Sequence, residues 1–131
     1  MIYDYSLSTP QNDLYDITSQ VRDAVVRSGV SSGLALVYCP HTTAGITINE
    51  NADPDVKQDI IHGLDKVFPD RPEFQHAEGN SAAHMKSSAV GASEMVIVNN
   101  GGLLLGAWQG VYFCEFDAPR SRKFFVKIIK G

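Results

Sequence analysis

Three of this chain's four histidines sit in stretches rich in other reactive side chains. His41 lies in Pro40-His41-Thr42-Thr43-Ala44-Gly45, His76 in Gln75-His76-Ala77-Glu78-Gly79-Asn80, and His84 in Ala83-His84-Met85-Lys86-Ser87-Ser88. Three imidazoles from separate stretches, with a fourth position open, make a catalytic zinc site that polarises a water or a substrate oxygen. Glu50, Asp59 and Glu78 are carboxylates able to orient a ligand imidazole or to act as general base. No two of the three histidines share the one-turn spacing of a helical metal motif, so three unrelated polar histidines is the alternative reading. The fourth, His62, falls with Gln58, Asp65 and Lys66 on a helical wheel, away from the apolar stripe, and is expected in solvent.

A second constellation suits an anion. Gly79-Asn80-Ser81 leads into a short predicted helix whose first backbone N–H groups are free and whose dipole end is positive. Lys86, Ser87 and Ser88 follow on that helix, and Arg120 and Arg122 flank a turn at Pro119. Together these can receive a phosphate or carboxylate; the plainer reading is a capped helix and a solvated basic turn. Trp108, between Gly106 and Gly110, permits close approach of a backbone or ligand, although such a tryptophan is more often core or subunit interface.

These residues need elements to hold them. Alternation over Ile2–Ser8 predicts a first strand, and Asp16 or Thr18 caps a helix that Gly29 stops. Leu34–Cys39 is a continuous apolar run fitting a central strand. Ala44, Ile46 and Ile48 alternate with Gly45, Thr47 and Asn49 in the next strand. Asp53-Pro54 predicts a helix start, with an apolar stripe of Val56, Ile60, Ile61, Leu64, Val67 and Phe68 ended by Pro69. Pro69–Asn80 reads as a long loop of the functional kind, and Ser81 as the cap of a helix running to Val90. The last third predicts an antiparallel meander: Glu94–Val98, a turn at Asn99-Asn100-Gly101-Gly102, a long strand over Leu103–Phe116 bent at its glycines, a turn at Asp117–Arg120, and Lys123–Lys130. At least six strands against three helices, without βαβ alternation at the C-terminal end, predict an α+β fold on a mostly antiparallel sheet or sandwich.

Composition narrows the classes. A chain of 131 residues with 44% hydrophobic and 20% charged side chains is one globular domain. A TIM barrel needs about 250 residues, so the chain alone cannot form one. A net charge of −4 argues against a nucleic-acid partner, whose phosphates demand clustered Lys and Arg. No apolar run approaches the roughly 20 residues of a membrane span, and the N-terminal residues do not read as a signal peptide. Cys39 and Cys114 sit in apolar runs and are expected as buried, reduced thiols of a cytoplasmic protein, a disulfide between them being the lesser reading.

Several runs resemble one family. His41-Thr42-Thr43-Ala44-Gly45-Ile46-Thr47-Ile48-Asn49-Glu50-Asn51 with Asp53-Pro54-Asp55-Val56 resembles the first signature of the YjbQ-type family, usually labelled secondary thiamine-phosphate synthase. Glu78-Gly79-Asn80 with Ala83-His84-Met85-Lys86-Ser87-Ser88 resembles the second. Gly106-Ala107-Trp108-Gln109-Gly110, Glu115 and Pro119-Arg120-Ser121-Arg122 resemble the third, with Ala118 where a glycine is common. The resemblance implies a β-sandwich-like core and a homotrimer. It also implies a site shared by His41, His76 and His84 around a divalent metal, zinc or magnesium. Glu50, Asp59, Glu78 and Lys86 are implied as catalytic, and Asn80, Ser87 and Arg120 as anion-binding. The implied reaction is weak condensation of a pyrimidine diphosphate with a thiazole phosphate. Two alternatives remain open: a metal-dependent hydrolase or lyase on another small anionic metabolite, and a non-catalytic metabolite-binding module.

Overall fold

The computed structural model describes residues 1–131. In chain order the elements are β1 (Ile2–Thr9), β2 (Asp13–Asp16), α1 (Thr18–Ser28), β3 (Ser32–Tyr38), β4 (Ala44–Glu50), α2 (Pro54–Val67), α3 (Ser81–Val90), β5 (Ser93–Asn99), β6 (Gly102–Leu103), β7 (Gln109–Glu115) and β8 (Arg120–Lys130). Eight strands and three helices make an α+β fold, as the residue patterns predict.

The strands form two sheets. One has five strands in the order β1-β8-β3-β5-β6, the other three in the order β2-β7-β4, and every pair is antiparallel. The Leu34–Cys39 run is central in the larger sheet, as expected. The main core gathers Val21, Ala24 and Val25 of α1, Ala35 and Val37 of β3, Ile46 of β4, Val111 and Phe113 of β7, and Phe124, Val126 and Ile128 of β8. A second cluster, Leu14, Ala83, Tyr112, Cys114 and Phe116, lies under Ile60, Ile61 and Leu64 of α2. β7 is therefore buried on both faces beyond Gln109: Val111 and Phe113 enter the main core, and Tyr112 and Cys114 face the helices.

Local chemistry explains most boundaries. Asp53 caps α2 by accepting the Asp55 N–H at 2.9 Å, with Pro54 in the first turn. Asp16 holds the start of α1, its Oδ1 accepting from Thr18 N at 2.9 Å and Thr18 Oγ1 at 2.6 Å. Gly29 closes α1 in the left-handed region, at φ 68°. Gly33 is required by crowding: a Cβ there would stand 1.9 Å from the Ile129 carbonyl oxygen. Gly33→Ala is expected to cost about 3 kcal/mol or more by forcing β3 from β8, readable as a lowered urea midpoint.

Three expectations give way. The predicted strand over Leu103–Phe116 is broken after Leu103. Gln109 turns the chain there, its N–H donating to the Gly106 carbonyl at 3.1 Å and its Oε1 accepting the Gly106 N–H at 2.8 Å. Trp108 consequently stands outside the core, 66% exposed. α3 is preceded by Asn80 rather than capped by Ser81, and the Ala82 N–H donates to Asp70 Oδ1 at 3.2 Å. That carboxylate already occupies the helix end proposed as an anion receiver.

Candidate functional site

The site begins with a charge inside an apolar strand. Glu115 ends β7 on the face that carries Val111 and Phe113, and is fully buried. Arg122 stands on the inward face of β8, in line with Phe124 and Val126. The two meet in a bidentate pair, Nε to Oε1 at 2.7 Å and Nη2 to Oε2 at 2.6 Å. Thr9 Oγ1 donates to Glu115 Oε1 at 2.6 Å and the Asp117 N–H to Oε2 at 2.8 Å. Burial alone would raise the Glu115 pKa, but the Arg122, Thr9 and Asp117 donors outweigh it and hold the carboxyl below its ordinary value. Arg122 Nη2 also donates to Thr43 Oγ1 at 2.8 Å, fixing the β3–β4 connection.

Above this pair opens a cleft of about 280 Å³ lined by no hydrophobic residue. It is lined by Thr42 and Thr43 of the β3–β4 connection, Asp117, Arg120 and Arg122 of the β7–β8 turn and β8, His76, Glu78 and Asn80 of the loop before α3, and His84 of α3. Arg120 is held by Asp117, through Nη2 to Oδ2 at 2.9 Å and Nε to the backbone carbonyl at 3.0 Å. Asn80 Nδ2 donates to the same Oδ2 at 2.8 Å, tying the α3 entry to the β7–β8 turn. Because a carboxylate demands a donor, this contact fixes the amide's orientation. Asn80 Oδ1 is then buried with no hydrogen-bond partner, the one side-chain polar atom of the chain in that condition. Burial raises the Asp117 pKa, yet the donors Asn80 and Arg120 bring it below the ordinary carboxylate range. Neither guanidinium uses its Nη1 in a hydrogen bond to protein.

His76 and His84 meet edge to face, their ring centroids 5.3 Å apart. His84 is placed by α3, which docks on β4 through Ser87 Oγ to the Ala44 carbonyl at 2.6 Å and Ile46 N–H to the Gly91 carbonyl at 3.0 Å. His76 is placed by the loop before α3, which turns where the Gly79 N–H meets the His76 carbonyl at 3.1 Å, with Gly79 at φ 72°.

The remaining expected residues stand elsewhere. His41 does not join the other two. Its Nε2 lies 3.0 Å from Lys123 N and 3.1 Å from Lys123 O, at a different cleft, about 630 Å³, that includes Ser6, Ser8 and Ser121. Arg122 lines both clefts. No group of three or more His, Cys, Asp or Glu side chains is close enough to hold a metal ion, so the three-histidine ligand set does not form within one chain. Lys86 is buried toward α2, paired with Asp65, and lines a separate small gap with Leu64 and Phe116. Ser87 spends its hydroxyl on Ala44. Glu50 sits at the far end of β4, six residues or about 20 Å from Ala44, its Oε2 accepting the Ala52 N–H at 3.0 Å. Asp59 is exposed on α2 and lines none of these clefts, and His62 is exposed as expected. Cys39 and Cys114 are buried free thiols, and burial raises both pKa values, which makes them poor nucleophiles.

Residue types alone missed Thr9, Thr43 and Asp117. A signal existed for the pair beneath them: Glu115 interrupts an apolar run, and Arg122 occupies an inward position of the alternation through Ile128.

His41 gives the fold a pH dependence. Burial, then repulsion from Arg122, lowers its pKa below the usual 6.5. The unfolded chain therefore takes up the proton first, so acidification below about 6.5 favours unfolding until the folded histidine is also protonated. Glu115 and Asp117 act in the same direction at lower pH: their stabilisation is complete above about 4 and is lost as pH falls through their depressed folded values. Urea midpoints measured from pH 8 to 5 are expected to fall, and His41→Gln to flatten the fall.

The eight-stranded, two-sheet α+β fold is shared with a family of small proteins. The family model for UPF0047 protein YjbQ-like matches residues 4–131, and the chain belongs to that family. UPF0047 protein YugU of Bacillus subtilis is 58% identical over 123 residues, covering 93% of each chain. A UPF0047 protein of Methanocaldococcus jannaschii is 53% identical over 130 residues, covering 98% of this chain and 94% of its own. The crystal structure of an uncharacterized YjbQ/UPF0047 family protein from Clostridium acetobutylicum superposes with a TM-score of 0.94 at 61% identity, covering 97% and 99% of the two chains. A protein of unknown function from Sulfolobus solfataricus superposes at 0.95 with 30% identity, covering 100% and 97%.

Proposed function

We propose that this chain is an enzyme that receives the phosphate of a small phosphorylated metabolite between Arg120 and Arg122, with His76 and His84 as its proton-transfer groups. The observation that carries this reading is the cleft itself: it has no hydrophobic lining residue, and each of its two guanidiniums retains an unused amino group. Arg122 is held rigid by a buried carboxylate, so its donors are aimed before the ligand arrives. Two adjacent imidazoles suit proton donation to a leaving oxygen and abstraction from an incoming nucleophile.

The particular reaction we propose is the one the family resemblance implies, condensation of a pyrimidine diphosphate with a thiazole phosphate. Diphosphate departure leaves a cationic methylene, and the arginines stabilise the charge on the leaving group. Adding both precursors to the purified protein should yield thiamine phosphate above a metal-only control; no excess product would remove this reaction. Hydrolysis of another phosphate ester is the second reading, favoured by the contact between His76 and His84, which can activate a water.

Zinc at a catalytic site needs three protein ligands, and one chain supplies two imidazoles here. Magnesium needs only one or two carboxylates beside substrate phosphates, and Glu78 and Asp117 are the carboxylates of the cleft. Such an ion would neutralise phosphate charge. Elemental analysis of untagged protein, with and without added metal, tests both.

Self-association as a homotrimer is likewise our proposal. The outer face of the larger sheet places Ile97 and Ile129 on either side of Leu34, and Met95 beside Leu36. Ile97 and Met95 are each 54% exposed, a patch that suits an interface. Light scattering at micromolar concentration should report three chains; a monomer mass would remove the proposal. Placement in the cytoplasm is proposed from the two free buried thiols, and no helix is long and apolar enough to cross a membrane.

A further inference from the structure

The polar cleft has a neighbour of opposite character. His76 and His84 also line a larger cleft, about 750 Å³, whose other walls are Phe68, Met85 and Ala89 with Ser81 and Ser88. The two spaces thus share the imidazole pair: arginines and carboxylates lie to one side, a phenyl ring and a thioether to the other. Each side is too specialised to serve the other's ligand. A phosphate gains nothing from Phe68 and Met85, and an apolar ring placed between Arg120 and Asp117 would strip water from both charges without replacing it.

Two serines line the larger cleft, and one of them is spent within its own helix. Ser88 Oγ donates to the His84 carbonyl at 3.0 Å, back into its own helix. Met85 is a large apolar side chain left 36% exposed on the surface of α3, where a solvated helix would carry a polar residue. Phe68 follows the last residue of α2, where its N–H meets the Leu64 carbonyl at 2.8 Å, so its backbone is held by the helix terminus. A flexible thioether and a phenyl ring lining one cleft accept flat apolar groups of varied outline.

We infer that the substrate is two-lobed: its phosphate occupies the arginine cleft, its apolar ring-bearing body lies against Phe68 and Met85, and the bond joining the lobes falls beside His76 and His84. Phe68 and Met85 are then the residues that select among phosphate esters. This inference rests on the phosphate reading of the polar cleft and adds the chemistry of the other half of the ligand.

The test compares three probes on the purified protein by calorimetry: inorganic phosphate, methyl phosphate and 1-naphthyl phosphate. The naphthyl ester should bind about tenfold or more tightly than the methyl ester, because only its ring reaches the apolar cleft. Met85→Ser, at an exposed position that the fold does not depend on, should remove most of that preference and leave inorganic phosphate affinity unchanged. Phe68→Ala should act in the same direction. Equal binding of the two esters, with inorganic phosphate still bound, overturns the two-lobed substrate and leaves the phosphate cleft standing. A naphthyl preference that survives Met85→Ser and Phe68→Ala overturns the assignment of the apolar lobe. Failure of all three probes to bind overturns this inference together with the phosphate reading.

Discussion

Glu115→Ala is expected to lower the free energy of unfolding by about 3–5 kcal/mol, which for a domain of ordinary stability removes a large part of the total. The size follows from burial. Glu115 is wholly inaccessible and accepts from Arg122, Thr9 and Asp117, so its loss leaves the largely buried Arg122 guanidinium without its carboxylate. Replacing both partners separates the cost of a broken pair from the worth of an intact one. Glu115→Leu with Arg122→Met should recover most of the stability, since no unpaired charge remains inside. Recovery stops short of complete because the Asp117 N–H loses its acceptor, whereas the Thr9 hydroxyl can turn its one proton to the Arg120 carbonyl, 3.0 Å away. Urea titration reads all three chains. A single variant that loses under 1 kcal/mol would mean that the pair does not organise this end of the sandwich. The stable double variant, lacking Arg122, should still fail to bind phosphate, which separates the structural duty of the pair from its functional one.

His84→Ala is expected to reduce turnover of the cognate phosphate ester by about 10²–10⁴-fold, the range spanned by loss of a positioned acid or base. The fold should tolerate it: His84 is half-buried and faces the clefts, while α3 is fastened to β4 by Ser87 and Gly91 instead. An unchanged urea midpoint with a collapsed kcat is the expected pattern. His41→Ala provides the contrast. His41 contacts the Lys123 backbone at a separate cleft, so its removal should act chiefly on stability and its pH dependence. If His41→Ala abolished turnover as fully as His84→Ala, the division between the two clefts would be wrong for the working assembly.

The fold was more legible than the site because its signals are local. Asp53-Pro54 carries the whole instruction for the start of α2, and the short apolar run at Leu34 fits a strand in the middle of a sheet by its length. β2 carries no local signal, since four residues with Asp at both ends lack a pattern; it exists because Leu14 and Tyr15 pair with Cys114 and Phe113 across about a hundred residues of chain. The break after Leu103 is set by one glutamine side chain, which no periodicity reveals. At the site, residue type identified His76, Glu78, Asn80, His84 and Arg120, all of which line the polar cleft. Of the neighbours of His84 in sequence, Lys86 lies two residues on, about 200° around α3, and turns into α2, whereas Ser87 is one turn on and spends its hydroxyl on the β4 backbone. The chemistry of His41 matches the other two histidines, whereas the β8 backbone determines where its ring rests.

The cleft between Arg120 and Arg122 is the centre of the functional reading, and calorimetric titration with inorganic pyrophosphate tests it most directly. The wild-type chain should bind with measurable heat, and Arg120→Gln, which gives up only a half-exposed ion pair with Asp117, should weaken binding about tenfold or more while the urea midpoint falls only slightly. Pyrophosphate that fails to bind, or that binds Arg120→Gln as tightly as wild type, would mean that this cleft does not receive phosphate.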